Sequence, residues 1–108
     1  MTTLEDLALR IARRSGADPQ QSWTAQLLAG GVETCARKFG EEAVEAVIEA
    51  MKGDRQGLIC ESADALFHLL VLWQACGVRL DEVLAELARR QAMGGLAEKA
   101  ARGDNPKA

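Results

Sequence analysis

Two acidic stretches stand close together in the chain: Lys38-Phe-Gly-Glu-Glu-Ala-Val-Glu45 and Glu61-Ser-Ala-Asp-Ala-Leu-Phe-His68. At about 100° per residue of helix, Lys38, Glu41, Glu42 and Glu45 fall within an arc of roughly 100°. Taken alone, that stripe reads as a solvated helix face. The second stretch decides against this. From Leu58 to Trp73, apolar residues point in nearly every direction, the mark of a buried helix. Only the line Glu61, Asp64 and His68 is polar. A buried ionised carboxylate costs on the order of several kcal/mol unless it is paired or binds metal. Lys38 is the only cation on the facing stripe, so positive charge must come from elsewhere.

Five carboxylates, Glu41, Glu42, Glu45, Glu61 and Asp64, converging between two neighbouring helices suit a hard divalent cation. An all-oxygen set without a Cys/His cluster points to Mg²⁺, or Mn²⁺, rather than zinc. Mg²⁺ keeps several waters and is commonly completed by substrate phosphates. The chemistry implied is metal-assisted attack of water on a phosphoryl centre, with a carboxylate positioning or deprotonating the water. Lys38 either contacts a phosphate or pairs with Glu41 or Glu42 one turn on. Glu49 continues the acidic stripe. His68, a lone histidine on a buried helix, reads as a hydrogen-bonded structural residue rather than a ligand.

Five helices must position these groups. The first spans about residues 2–14, with Leu4, Leu7, Leu9 and Ile11 as apolar positions. Asp18, Pro19 and Gln21 are placed as N-cap, N1 and N3 of a second helix that ends at Gly30-Gly31. The third runs from about Val32 to Lys52, with Val44, Val47, Ile48 and Met51 expected to form its buried stripe. Gly53 stops it, and Asp54 caps a fourth helix from Arg55 to about Ala75. So short a connection makes helices three and four antiparallel neighbours. A fifth helix covers about Leu80 to Gln91, with Val83, Leu84 and Leu87 inward. Met51 and Cys60 are expected in the core. The fold class is all-α: a small helical bundle over residues 1–93, with a partly ordered tail over 94–108.

Composition narrows the function classes. The 108 residues suit one small domain, and 48% are hydrophobic. A net charge of −3 argues against broad nucleic-acid binding. No run of about 18 or more apolar residues marks a membrane span, and the N-terminus does not resemble a signal peptide. The expected location is the cytoplasm, where Cys35, Cys60 and Cys76 would be reduced thiols. A fourth helix that is apolar on all sides needs partners on all sides, and four short neighbours scarcely provide them. A homodimer is therefore expected, with helix four in the interface.

Glu41-Glu42-Ala-Val-Glu45 followed by Glu61-Ser-Ala-Asp64 resembles the E-E-x-x-E and E-x-x-D pattern of the all-α NTP pyrophosphohydrolase superfamily. The flanking segments Ser22-Trp-Thr-Ala-Gln-Leu-Leu28, Ala63-Asp-Ala-Leu-Phe-His-Leu-Leu-Val71, Gly77-Val-Arg-Leu-Asp-Glu-Val-Leu84 and Gly94-Gly-Leu-Ala-Glu-Lys99 are similar to the phosphoribosyl-ATP pyrophosphatase family of histidine biosynthesis. The resemblance covers about residues 3–102. It implies a Mg²⁺-dependent hydrolase that converts phosphoribosyl-ATP to phosphoribosyl-AMP and pyrophosphate. It also implies a cytoplasmic homodimer without a fused cyclohydrolase, with Glu41, Glu42, Glu45, Glu61 and Asp64 as metal ligands. Trp23 stands where the family usually has Tyr, and either stacks on a base or packs in an interface. Arg79 replaces a usual serine cap, with Asp81 the expected substitute. Arg13, Arg14, Arg89 and Arg90 are candidate phosphate contacts, each more often a solvated surface residue. Two other functions compete: a broader nucleotide pyrophosphatase acting on dUTP or damaged NTPs, and a non-catalytic helical dimerisation module.

Overall fold

A computed structural model describes residues 3–93 and 99–100. Among them are five helices and no strand: α1 (Leu4–Arg14), α2 (Trp23–Ala29), α3 (Gly31–Lys52), α4 (Arg55–Cys76) and α5 (Leu80–Met93). The all-α class is as expected. The predicted tail, residues 94–108, lies outside the described residues except for 99–100. Two compact units are present, one up to Val78 and one from Arg79 onward.

In the first unit, local chemistry sets the helix ends. Thr3 and Asp6 form a reciprocal capping box that starts α1. The second helix begins later than expected. The Asp18 carboxylate accepts from the Gln20 N–H at 2.9 Å and closes a turn, while Ser22 Oγ accepts from the Ala25 N–H at 3.1 Å and caps α2. Asp18 therefore spends its capping capacity on a single turn, and Trp23 rather than Pro19 is the first helical residue. At the α3–α4 connection, Gly53 adopts φ +74°, a left-handed conformation that glycine takes without a Cβ penalty. Asp54 then caps α4 through the Gly57 N–H at 2.9 Å. This two-residue reversal lays α4 antiparallel along α3, the most extensive packing in the fold.

The core is gathered at one end of that hairpin. Ile11 of α1, Ala25 and Leu27 of α2, Cys35 of α3, and Leu70 and Val71 of α4 are buried together with His68. The Cys35 thiol donates to the Leu27 carbonyl at 3.2 Å and ties α3 to α2. Burial first, and the neighbouring Cys76 second, push its pKa up. Cys60 and Cys76 are exposed, and all three thiols are free.

The other end overturns an expectation. Val44, Val47, Ile48 and Met51 are not buried: they are 58%, 61%, 50% and 83% exposed. Ile59 and Leu66 of α4 are exposed too, as is Cys60. The reason is which side of α3 meets α4. The side that carries Glu42 and Glu45 faces Glu61 of α4, and Ala43 and Ala46 line a groove with Ser62 and Ala65. The large apolar residues of α3 are thereby turned outward. Along the seam Phe39, Ala43, Ala46, Ser62, Ala65, Leu66 and Leu69 line an open apolar groove of about 380 Å³. By length and composition α4 is apolar enough to cross a membrane. The core helix of a soluble protein can have the same length and composition.

In the second unit, α5 carries its own ion pairs. The Arg79 N–H donates to Glu82 Oε1 at 2.9 Å, so Glu82 rather than Asp81 satisfies the helix start. Asp81 instead pairs with the Arg79 side chain at 3.0 Å. Leu84 and Leu87 are exposed, against the inward orientation expected of them.

Candidate metal and phosphate site

The register of the α3–α4 hairpin brings Glu42 and Glu45 of α3 against Glu61 of α4. One carboxylate oxygen from each lies within 4.8 Å of the other two. Glu61 is half-buried, and its Oε2 is buried with no protein donor to it. Three like charges this close cannot all ionise freely. A proton shared with Glu42 raises the pKa of Glu61 to about 7, helped by burial and by the charges of Glu45, Glu42 and Asp64.

The remaining predicted ligands sit at the margin of this group. Asp64 is one turn beyond Glu61, exposed, and near enough for its charge to act on Glu61. Glu41 turns toward Lys38, 3.5 Å away, and Arg37, 4.0 Å away. The structure thus places Lys38 in an intrahelical ion pair, at half-buried depth beside the acids. Its pairing with Glu41 is exposed and weak by type, worth about 0–1 kcal/mol, so the ammonium is readily redirected.

His68 is 7% exposed. Its Nδ1 lies 2.8 Å from the Asp64 carbonyl, which fixes the proton on Nδ1 because a carbonyl can only accept. Nε2 is buried without a protein partner. The ring also stands edge-on to Phe67, with centroids 5.1 Å apart. The structural role expected of His68 fits this bonding. Trp23 is exposed at the first position of α2. Arg13 and Arg14 are exposed in the last turn of α1. Arg90 and Arg89 both pair with Glu86, at 2.9 and 2.6 Å. Arg89 first and Arg90 second hold the Glu86 carboxyl down at about 2.

The donor set suits a hard divalent cation. It consists of oxygens only, it is drawn from two rigid helices, and it contains a buried carboxylate oxygen with no donor. The apolar groove along the seam escaped the sequence reading. Its signal was the alanine pair at 43 and 46 facing Ser62 and Ala65.

Residues 4–91 match the family model for phosphoribosyl-ATP pyrophosphohydrolase. The chain belongs to that family. Similar relatives include the phosphoribosyl-ATP pyrophosphatase of Ruegeria pomeroyi, 63% identical over 102 residues, which are 94% of this chain and 97% of that one. Those of Cereibacter sphaeroides and Rhodobacter capsulatus are each 60% identical over 103 residues, covering 95% of this chain and all of theirs. Membership makes the chain a hydrolase, and the carboxylate group at the α3–α4 seam is its candidate active site.

Proposed function

We propose that this protein hydrolyses phosphoribosyl-ATP to phosphoribosyl-AMP and pyrophosphate, the second step of histidine biosynthesis, in the cytoplasm. Its family and its relatives' names support the substrate. The observation that carries the mechanism is the convergence of Glu42, Glu45 and Glu61 without a protein cation among them.

Glu42, Glu45 and Glu61 would hold Mg²⁺, with Asp64 and Glu41 close enough in sequence to complete or second the set. When bound, the ion neutralises phosphate oxygens and the charge that develops on them. The protein does the rest. The paired helices fix the carboxylates, so that little reorganisation is needed at reaction. A carboxylate of this acidic group that is not bound to the ion would position the attacking water or accept its proton. The water oxygen bonds to phosphorus, the bridging α–β oxygen leaves, and the water's protons end on the two products. Lys38, once freed from its ion pair with Glu41, would be available to phosphate.

The second part of the proposal is a homodimer, with Mg²⁺ the working ion and Mn²⁺ a substitute. Val44, Val47, Ile48 and Met51 of α3, and Ile59 and Leu66 of α4, are large apolar side chains left exposed, and exposed apolar residues grouped on a helix face mark interaction surfaces. A second copy of the same hairpin would cover them.

The test is pyrophosphate release from phosphoribosyl-ATP, with a dUTP and NTP panel alongside. Release should require Mg²⁺ and fall on the order of 10²–10⁴-fold in Glu42→Gln and Glu61→Gln, the range typical of positioned acid–base and electrostatic groups. Equal turnover of the whole panel would point to a general nucleotide pyrophosphatase. No turnover with any nucleotide would sink the enzyme reading.

A further inference from the structure

We propose that Glu49 and Gly57 form an interlock that sets the spacing of α3 and α4 at the active site, making Glu49 a positioning residue. The inference rests on the cation reading of Glu42, Glu45 and Glu61. Glu49 follows Glu45 by one turn on α3, and Gly57 precedes Glu61 by one turn on α4. Because the helices are antiparallel, Glu49 and Gly57 form the layer next to Glu45 and Glu61.

The packing in that layer is unusual. A Cβ on residue 57 would lie 2.8 Å from Glu49 Oε2, 2.9 Å from Glu49 Cδ and 2.9 Å from Asp54 Oδ2. The Glu49 carboxylate therefore occupies the volume that any other residue's Cβ would claim. It is also held there. The side chain is 18% exposed, Lys52 Nζ grips Oε1 at 3.0 Å, and Oε2 is buried with no donor. Gly57 is fixed in turn, since its N–H donates to the Asp54 cap at 2.9 Å.

Both choices are locally unfavourable. Glycine is a poor helix residue, and a buried oxygen without a donor is costly. Two local sacrifices in contact with each other, one turn from the carboxylates, are what a device for positioning those carboxylates would show. With the carboxylate wedged against the α4 backbone, Glu49 acts as a spacer of fixed length between the helices that carry the ligands.

The experiment uses the full chain as Gly57→Ala, Glu49→Ala and the double variant. Mn²⁺ is titrated calorimetrically, and melting is followed without metal. Each single change should weaken Mn²⁺ binding about tenfold or more, the size seen when residues supporting metal ligands are altered. The double variant should bind better than Gly57→Ala, because the new methyl group enters the space the Glu49 carboxylate has left and meets only the Asp54 cap, 2.9 Å away. A merely structural role would move the metal-free melting temperature and leave the affinity alone. Wild-type affinity in Gly57→Ala would mean that the carboxylate swings aside at no cost, and would overturn the proposal. So would a double variant no better than Gly57→Ala. If Gly57→Ala does not fold, unchanged affinity in Glu49→Ala overturns it instead. Absence of Mn²⁺ binding by the wild type would instead remove the cation reading itself.

Discussion

The two ends of the α3–α4 hairpin are built on opposite principles. At the end where α1 and α2 pack, Leu27, Cys35, Leu70 and Val71 are sealed from solvent, Val71 completely. At the end that contains the Gly53 turn, α3 presents Val44, Val47 and Met51 outward and turns carboxylates toward α4. The first end resembles any folded core, in which burial supplies the stability. The second has its most valuable apolar surface unspent and its like charges brought together. In the proposed function a cation would answer the charges and a second subunit the apolar face. Where the chain is least self-sufficient, it is most specialised.

Side-chain truncation should separate the two ends most strongly. Leu27→Ala should cost about 2–5 kcal/mol, as a buried leucine replaced by alanine does, and chemical denaturation would measure it. Met51→Ala, at 83% exposure, should stay within about ±0.5 kcal/mol in the monomer. Val47→Asp should leave the sealed end folded yet lower the molecular mass in light scattering from dimer to monomer. If Val47→Asp remained dimeric, the outward face would lose its assigned partner. Metal should act on the open end alone. Saturating Mg²⁺ at a hundred times its dissociation constant should stabilise the protein by about 2.7 kcal/mol through mass action. That gain should disappear in Glu61→Gln.

Much of this division could be read in the sequence, and the exception is instructive. The Gly53–Asp54 reversal and the acidic pattern located the hairpin and the convergence of Glu42, Glu45 and Glu61. Local chemistry determines those features, since a left-handed glycine, a capping aspartate and a helical period act within a few residues. Apolar periodicity assigns Val44, Val47, Ile48 and Met51 to a core, because it reports an apolar face and not what lies against it. The period could not distinguish the seam with α4 from a surface for a partner. The start of α2 was misplaced for a related reason. Asp18 and Ser22 are both competent caps, and only the folded chain shows that Asp18 closes a turn while Ser22 begins the helix.

Proton competition offers a finer probe of the open end. Glu61 has its pKa raised to about 7 in the folded protein, above the ordinary glutamate value near ~4.3. Its protonated form therefore favours the fold. That contribution is fully present below the unfolded value and is lost as pH rises through about 7. Without metal, the melting temperature should fall between pH 5.5 and pH 8, each about a unit or more from the transition, and Glu61→Gln should flatten the slope. Metal binding should run the other way. It must displace the proton, so affinity should rise across the same interval and each binding event should release protons below pH 7. Calorimetry in buffers of different ionisation enthalpy would count them. A flat affinity profile would show that Glu61 is not among the ligands.

The smallest expected effect separates the centre of the site from its margin. Glu41 pairs with Lys38 and Arg37 on its own helix, away from the three converged carboxylates, whereas Asp64 presses its charge on Glu61. Asp64→Asn should therefore lower Mg²⁺ affinity more than Glu41→Gln. Loss of the Glu41 ion pairs alone should change stability by no more than about 1 kcal/mol. Freeing Lys38 gives Glu41→Gln a further signature, because an ammonium no longer drawn to Glu41 is available to substrate phosphate. KM should then hold or fall while kcat declines only modestly. If Glu41→Gln instead abolished metal binding as completely as Glu42→Gln, Glu41 would have to swing away from Lys38 and join the site when the ion binds. The boundary drawn between the centre and its margin would then describe only the metal-free state.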